Sequence, residues 1–346
     1  MRILQSYPGG RATTNPYLTQ LGNRLGARSE LLTFTWPRAL TERYDVLHVH
    51  WPETLLRGRT PLRALVRRVL FRALLARLRH RRTAVVRTVH NVRSHEEASP
   101  AERRLIERLD RRTSLWIRLN ATTPVPAGTP VRTIEHGDYR DWYAGYELPD
   151  AVPGRMLYFG LIRSYKGLDA LVSAFAGLPA TPGAGTSLHI VGRPQPPELG
   201  ESVLRAAAED PRIDVCLHYV SDAELVDAVG RAELVVLPYR EMHNSGAALA
   251  ALSLGRPVLV PANAVTEALR AEAGRDWVIT YSGEISAAVL ADGLARAHTP
   301  RGETGPDLSR RGWDDVIDRH FEAYESAVRA ARSPRPSPRA VPAGQR

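Results

Sequence analysis

Short apolar runs rich in β-branched residues recur along the chain, separated by longer stretches of helical period or by polar loops. RILQS, ELLTF, DVLHVH, TAVVRTVH, SLWIRLN and VRTIEH make a first set. RMLYFG, SLHIVG, IDVCLHYV, ELVVLPY, RPVLVP and DWVITY make a second. Parallel strands covered on both faces need near-continuous apolar runs of this kind, and the intervening stretches supply the covering helices. The first helix is expected from about Pro16. The Pro/Gly-rich YELPDAVPG at 146–154 interrupts the alternation and reads as a linker. The pattern predicts an α/β protein of two doubly wound domains facing a cleft, residues 1–148 and 149–312. A C-terminal helix over 313–331 and a Pro/Arg-rich, disordered tail over 332–346 follow. Ligands of such sheets bind beyond the carboxyl ends of the strands, so the loops after these runs are where chemistry is expected.

The length of 346 residues agrees with two domains. No apolar run approaches the ~20 residues of a membrane span. MRILQSYPGG reads as a first strand and its loop and not as a secretory signal, so the expected compartment is the cytoplasm. The single cysteine, Cys216, excludes an internal disulfide and a cysteine-based metal cluster. Within VCLHYV it reads as a buried bystander.

Charge changes the picture more than length does. The net charge is +10, yet the window from Thr54 to His95 holds twelve arginines and no Asp or Glu, so the rest of the chain sums to −2. The basic character belongs to one local surface. Residues 61–79 (PLRALVRRVLFRALLARLR) should be helical, with Pro61 in the first turn. At ~100° per residue, Leu62, Leu65, Val66, Val69, Ala73 and Ala76 share one face, and Phe71, Leu74, Leu75 and Leu78 lie roughly opposite. Arg67 falls within the second set. A helix on a sheet needs one apolar face. The surplus face either packs on a neighbouring helix or, with its cationic fringe, meets an anionic membrane surface. No nucleic-acid motif accompanies the stripe, and nucleic acid is not the expected partner.

Lys166 is the one lysine in a chain with 47 Lys plus Arg. It lies in FGLIRSYKG, where Gly160, Arg163, Lys166 and Gly167 form the loop after the strand RMLYFG. Cations beside glycines at a strand's carboxyl end suit a phosphate, although two solvated surface cations would look similar. A second signal is LPYREMHNSGAALAALSLGRPVLVP. A helix should start near Asn244 or Ser245, followed by the small residues Gly246, Ala247 and Ala248. Amides so exposed at a helix start attract anions.

GLIRSYKG and PY(x)4NSGAALAALSLGRPVLVP together resemble the donor-binding domain of GT-B glycosyltransferases, whose two domains are Rossmann-like. The resemblance implies that Arg163, Lys166 and the amides from Ser245 to Ala247 grip the diphosphate of a nucleotide-sugar, and that the C-terminal helix crosses back to the first domain with Trp313, Phe321 and Tyr324 as anchors. Retaining members of that superfamily usually carry two glutamates eight positions apart around the second motif. The corresponding places here are Met242 and Ala250, with Glu241 one residue away from the first. This departure points to the inverting branches, where the bacterial mannosyltransferases acting from GDP-mannose on glycolipids are the nearest resemblance.

In the first domain three strand ends gather His48, His50 and Glu53, then His90, His95 and Glu96, then His136 and Asp138. They are either structural hydrogen-bonding groups or an acceptor site. Their spacing does not match a zinc motif, and no metal or cofactor is expected. An inverting transfer requires one base to take the acceptor's proton, as in glycoside hydrolysis. Glu96 is the first candidate and Glu53 the second. His90 resembles the family residue that contacts the transferred sugar. Gly10, His50, Trp51, His136 and Asp138 are the candidate acceptor residues, with the loop SYPGGRATTNPY lining the cleft or forming a simple turn. The resulting expectation is a metal-independent, inverting hexosyltransferase. It would move a sugar, mannose first, from a nucleotide-diphosphate donor to a glycolipid or polysaccharide precursor, at the inner face of the cell membrane. A retaining transferase using a UDP-sugar and a non-catalytic nucleotide- or nucleic-acid-binding protein are the alternatives.

Overall fold

The structure, a computed structural model, describes residues 1–10, 15–58, 60–90, 99–179, 185–240, 242–301 and 304–333. All twelve apolar runs form strands, in two six-stranded sheets with every pairing parallel. The chain separates into two compact units, Met1–Ile134 with the chain from Val316, and Glu135–Asp315.

The first unit alternates β1 (Arg2–Gln5), α1 (Pro16–Arg28), β2 (Glu30–Thr33), α2 (Trp36–Thr41), β3 (Val46–Val49), α3 (Glu53–Leu56), α4 (Pro61–His80), β4 (Ala84–Val89), α5 (Pro100–Asp110), β5 (Leu115–Arg118) and β6 (Val131–Thr133). The strand order is β2-β1-β3-β4-β5-β6, so the winding reverses between β1 and β3. Local chemistry sets the helix starts. Asn15 caps α1 by accepting from Tyr17 N at 3.0 Å, and Pro16 follows at the first turn. Thr60 caps α4 ahead of Pro61. Ser99 and Glu102 form a capping box on α5. Leu4, Leu47 and Val85 on the sheet pack with Phe71, Leu74 and Leu78 of α4 and Leu105 and Leu109 of α5.

The apolar face of α4 that turns inward is therefore the one carrying Phe71, Leu74 and Leu78. Leu62, Leu65, Val66 and Val69 are 70%, 54%, 48% and 53% exposed, and they make up four of the nine exposed large hydrophobic side chains among the described residues. Arg67, which the helical wheel puts on the buried side, is accommodated there because its guanidinium donates to the carbonyls of Thr54 and Arg57 at the end of α3. Arg68 bridges to Glu102 of α5 at 3.2 Å.

The second unit holds α6 (Arg140–Tyr143), β7 (Arg155–Phe159), α7 (Leu168–Ala176), β8 (Ser187–Val191), α8 (Glu198–Ala208), β9 (Ile213–Cys216), α9 (Asp222–Arg231), β10 (Leu234–Val236), α10 (Gly246–Ser253), β11 (Val258–Pro261), α11 (Ala264–Ala273), β12 (Val278–Tyr281) and α12 (Ala287–His298). The order β12-β11-β10-β7-β8-β9 reverses its winding between β7 and β10. The last helix, α13 (Trp313–Arg332), starts in this unit and continues in the first, where Tyr324 is fully buried.

Three details differ from the sequence reading. YELPDAVPG is packed onto the second unit and is not a free connector: Arg256 donates to Pro149 O at 2.9 Å and Val152 N to Arg231 O at 2.9 Å. His136 and Asp138 belong to the second unit as well, since Asp138 N donates to Arg311 O and the Trp313 indole donates to Asp138 O. Cys216 is half-buried beside His218, because β9 is an edge strand and covers the thiol on one side only. Among the described residues no helix is long and apolar enough to cross a membrane.

Candidate functional site

In the second unit the two sequence signals meet at the point where the winding reverses. After β7 the chain runs through Arg163 into a single 3-10 turn, Ser164–Lys166, which Gly167 closes at φ +68°. A Cβ on Gly167 would stand 2.3 Å from Pro238 O, so the loop after β10 lies directly against this turn. Arg240 N donates to Tyr165 O at 3.2 Å and fixes the same pair of loops. On the other side Gly192 at φ +151° brings its backbone against Gly160, where a Cβ would overlap Gly160 O at 1.9 Å.

Within this frame Lys166 Nζ sits 4.7 Å from the centre of the buried Tyr239 ring. Burial, helped by the neighbouring Arg163 charge, lowers its pKa from 10.5 to about 8. Arg163 donates to Gln195 Oε1 at 2.9 Å, while its buried Nε has no partner among the described residues. Ser245 is the N-cap of α10 and accepts from Ala248 N at 3.1 Å. The amides of Gly246 and Ala247 begin the helix and have no intrahelical acceptor. Asn244 to Ala247 are half-buried, and Gly246 lies against Tyr139, whose hydroxyl would be 3.2 Å from an added Cβ. Asn263, the N-cap of α11, donates to Met242 O at 3.1 Å and steadies the loop that leads into α10. A cationic turn and a bare helix start on adjacent strands make an anion cradle.

Tyr239, Gln195, Tyr139 and Asn263 were missed from sequence. The Tyr in LPY and the Asn after RPVLVP carried the only signal, an aromatic and a polar residue at strand ends. His136 joins this group: its Nδ1 donates to Gly137 O at 2.7 Å and its Nε2 is 3.3 Å from the Tyr139 hydroxyl. Burial lowers its pKa to about 4. The Asp138 carboxylate accepts from Arg140 N and from the Arg140 guanidinium at 2.9 and 2.5 Å.

In the first unit the candidates cluster where β1 and β3 end. His50 Nε2 lies 3.0 Å from Gln5 Oε1, and His50 Nδ1 lies 2.9 Å from His90 Nε2. The Gln5 oxygen can only accept, so His50 donates through Nε2. His50 is neutral, so its Nδ1 accepts from His90 Nε2–H. Trp51 stacks on His90 at 4.2 Å between centres. His48 lies inside β3, not at a strand end. It is enclosed between Thr88 Oγ1 and the Tyr324 hydroxyl, each at 2.8 Å. Glu53 opens α3, half-buried, with Arg87 on β4 within electrostatic reach. Among the described residues nothing lies within 4 Å of a Cβ placed on Gly10. Glu96 and His95 lie outside the described residues. Among the described residues no three His, Cys, Asp or Glu side chains form a group that could hold a metal.

Two doubly wound α/β units, one with an anion cradle at its winding reversal, define the architecture of GT-B glycosyltransferases. The family described as Glycosyl transferases group 1 matches residues 153–297, which span that cradle. A curated relative, the GDP-mannose:glycolipid 4-beta-D-mannosyltransferase of Xanthomonas campestris pv. campestris, is 44% identical over 328 residues, covering 94% of this chain and 92% of the relative. Among solved structures, Anabaena Alr3699/HepE in complex with UDP-glucose aligns with a TM-score of 0.65 at 14% identity, covering 94% of this chain and 99% of that one. WaaG, a glycosyltransferase involved in lipopolysaccharide biosynthesis, aligns at 0.51 and 13%, covering 96% and 98%. The chain is a glycosyltransferase and belongs to the family of the Xanthomonas mannosyltransferase.

The buried imidazoles make a stability prediction. Burial holds His48 and His50 well below the ordinary 6.5 and brings His136 and His320 to about 4. The unfolded chain therefore takes up protons first as pH falls. Stability should be level above pH ~6.5 and decline towards pH ~4, by up to ~1.4 kcal/mol per pH unit for each group. Urea midpoints at pH 7.5 and pH 5 measure this, and a His320→Phe variant should show a smaller drop.

Proposed function

We propose that the protein transfers mannose from GDP-mannose to a glycolipid, with inversion at the anomeric carbon, at the inner face of the cell membrane. The carrying observation is the cationic turn with Lys166 beside the open start of α10, in a chain 44% identical over 94% of its length to a relative named for that transfer. In this reading Arg163, Lys166 and the residues Asn244 to Ala247 hold the donor diphosphate. The acceptor hydroxyl attacks the anomeric carbon, its proton passes to a carboxylate, and the bond to the diphosphate oxygen breaks with its electron pair going to that oxygen. Arg163, Lys166 and the two α10 amides stabilise the charge that develops there. The base is Glu96, with Glu53 as the second candidate. His90 contacts the transferred sugar through the ring that Trp51 stacks upon. Gly10, His50, Trp51, His136 and Asp138 serve the acceptor.

Inversion is supported by the buried Met242 and Ala250 at the places where retaining relatives carry glutamates. The membrane reading is supported by the exposed Leu62, Leu65, Val66 and Val69 on a helix fringed with arginines and free of acidic residues. Such a face adds apolar insertion to attraction for anionic lipid.

Lys166→Ala should weaken GDP binding about 10–100-fold by calorimetry, the range expected for a hydrogen bond to a charged group. In the unaltered protein the affinity should fall as pH rises through about 8, by up to tenfold per unit, because the bound diphosphate requires the protonated amine. A Lys166→Arg variant should lose that pH slope. Unchanged affinity in Lys166→Ala would overturn the cradle. NMR of the product should show a β-mannoside from the α-linked donor, and an α-product would replace inversion with retention. In flotation with anionic vesicles, Leu65→Ser/Val69→Ser should recover at least about tenfold less protein with the lipid than the parent chain. Equal recovery would remove the membrane role of α4.

A further inference from the structure

We propose that the first unit carries a second anion site, an arginine-lined cavity at the amino-terminal edge of its sheet that takes a phosphate group of charge −2. The cavity is about 350 Å³ and is lined by Arg2, Arg43, Tyr44, Asp45, Arg77, Arg81, Arg82, Thr83 and Arg332. Arg2 opens β1, Asp45 directly precedes β3 and Thr83 directly precedes β4. These strands are parallel, so the cavity lies at the opposite edge of the sheet from His50, Trp51 and His90. Nothing in the transfer reaction uses it.

Six guanidiniums face one carboxylate in the lining. That carboxylate is already committed: Asp45 Oδ2 accepts from Arg2 N and Oδ1 from Arg332 Nη2, each at 3.0 Å. The nearby Glu30 and Glu42 engage Arg2 at 2.6 and 3.8 Å. Six positive charges against three negative ones leave the cavity cationic, and like charges this close repel unless an anion joins them.

Donors remain for such an anion. Arg2 Nε and Arg77 Nη1 are buried with no hydrogen-bond partner among the described residues. Arg77 is otherwise fixed, stacked 4.6 Å over the Tyr44 ring and donating to Glu42 O. The guanidiniums of Arg43 and Arg81 have no acceptor among the described residues. Arg82 occupies a left-handed position, φ +52°, which Gly or Asn would take at less cost. Planar, permanently charged forks with unused N–H groups match the oxygens of a phosphate monoester or a diphosphate. The phosphate can belong to a lipid headgroup or to a free compound.

Calorimetric titration of the full chain with inorganic pyrophosphate separates this site from the cradle at Lys166. Two classes of site are expected. Arg43→Ser/Arg81→Ser removes two exposed side chains with no partner among the described residues, and it should weaken one class about 100-fold, roughly tenfold per guanidinium. Lys166→Ala should abolish only the other class. A thermal melt of the double variant that matches the parent excludes misfolding. The same variant is then floated with phosphatidylcholine vesicles with and without phosphatidic acid. Loss of both pyrophosphate and phosphatidic-acid binding assigns the site to a lipid phosphate, and loss of pyrophosphate alone assigns it to a free one. Unchanged pyrophosphate binding, whether or not vesicle binding falls, overturns the proposal.

Discussion

Lys166 is a half-buried cation with no carboxylate facing it among the described residues, and the loops after β7 and β10 close around it. Desolvation disfavours its charge, and Arg163 adds repulsion. Among the described residues the electron-rich face of Tyr239 offsets this. The close approach of Gly167 to Pro238 O and the tie from Arg240 to Tyr165 hold the cation in place despite its cost. In the proposed reading, an incoming diphosphate would supply the counter-charge for both cations.

The first unit solves a different problem. It encloses imidazoles, and burial keeps His48, His50 and His320 neutral while their partners fix the rings. Gln5 sets the tautomer of His50, and His50 sets that of His90. His48 is pinned by Thr88 and Tyr324. His320 donates through Nδ1 to Val316 O, and its other nitrogen has no partner among the described residues, so a second proton there would be buried without an acceptor from them. The arrangement fixes ring orientation at the cost of acid tolerance.

The strands were legible because covering both faces of a parallel sheet demands unbroken apolar runs, and β1 to β12 all fall on such runs. The helix start at Ser245 and the turn at Lys166 were legible because caps and glycines act within a few residues. What depended on distant partners was not. His48 looks like a strand-end group until Tyr324, far along the chain, is seen to enclose it. Residues 135–148 look like the end of the first domain until Arg311 and Trp313 are seen to bind the backbone at 136 and 138. Either apolar face of α4 could have been the inner one. The choice was made by which set, Phe71, Leu74 and Leu78, filled the space between β4 and α5.

The division of the chain has a consequence for how it is made. The second unit is one uninterrupted stretch, Glu135–Asp315, whereas the first is built from both ends of the polypeptide. Tyr324, which seals His48, leaves the ribosome after the whole of the second unit has emerged. The usual amino-first order of assembly is therefore inverted. The middle of the chain can reach its native packing while the nascent amino-terminal sheet still waits for its closing helix, and a chain cut after Asp315 would have one finished half and one open core.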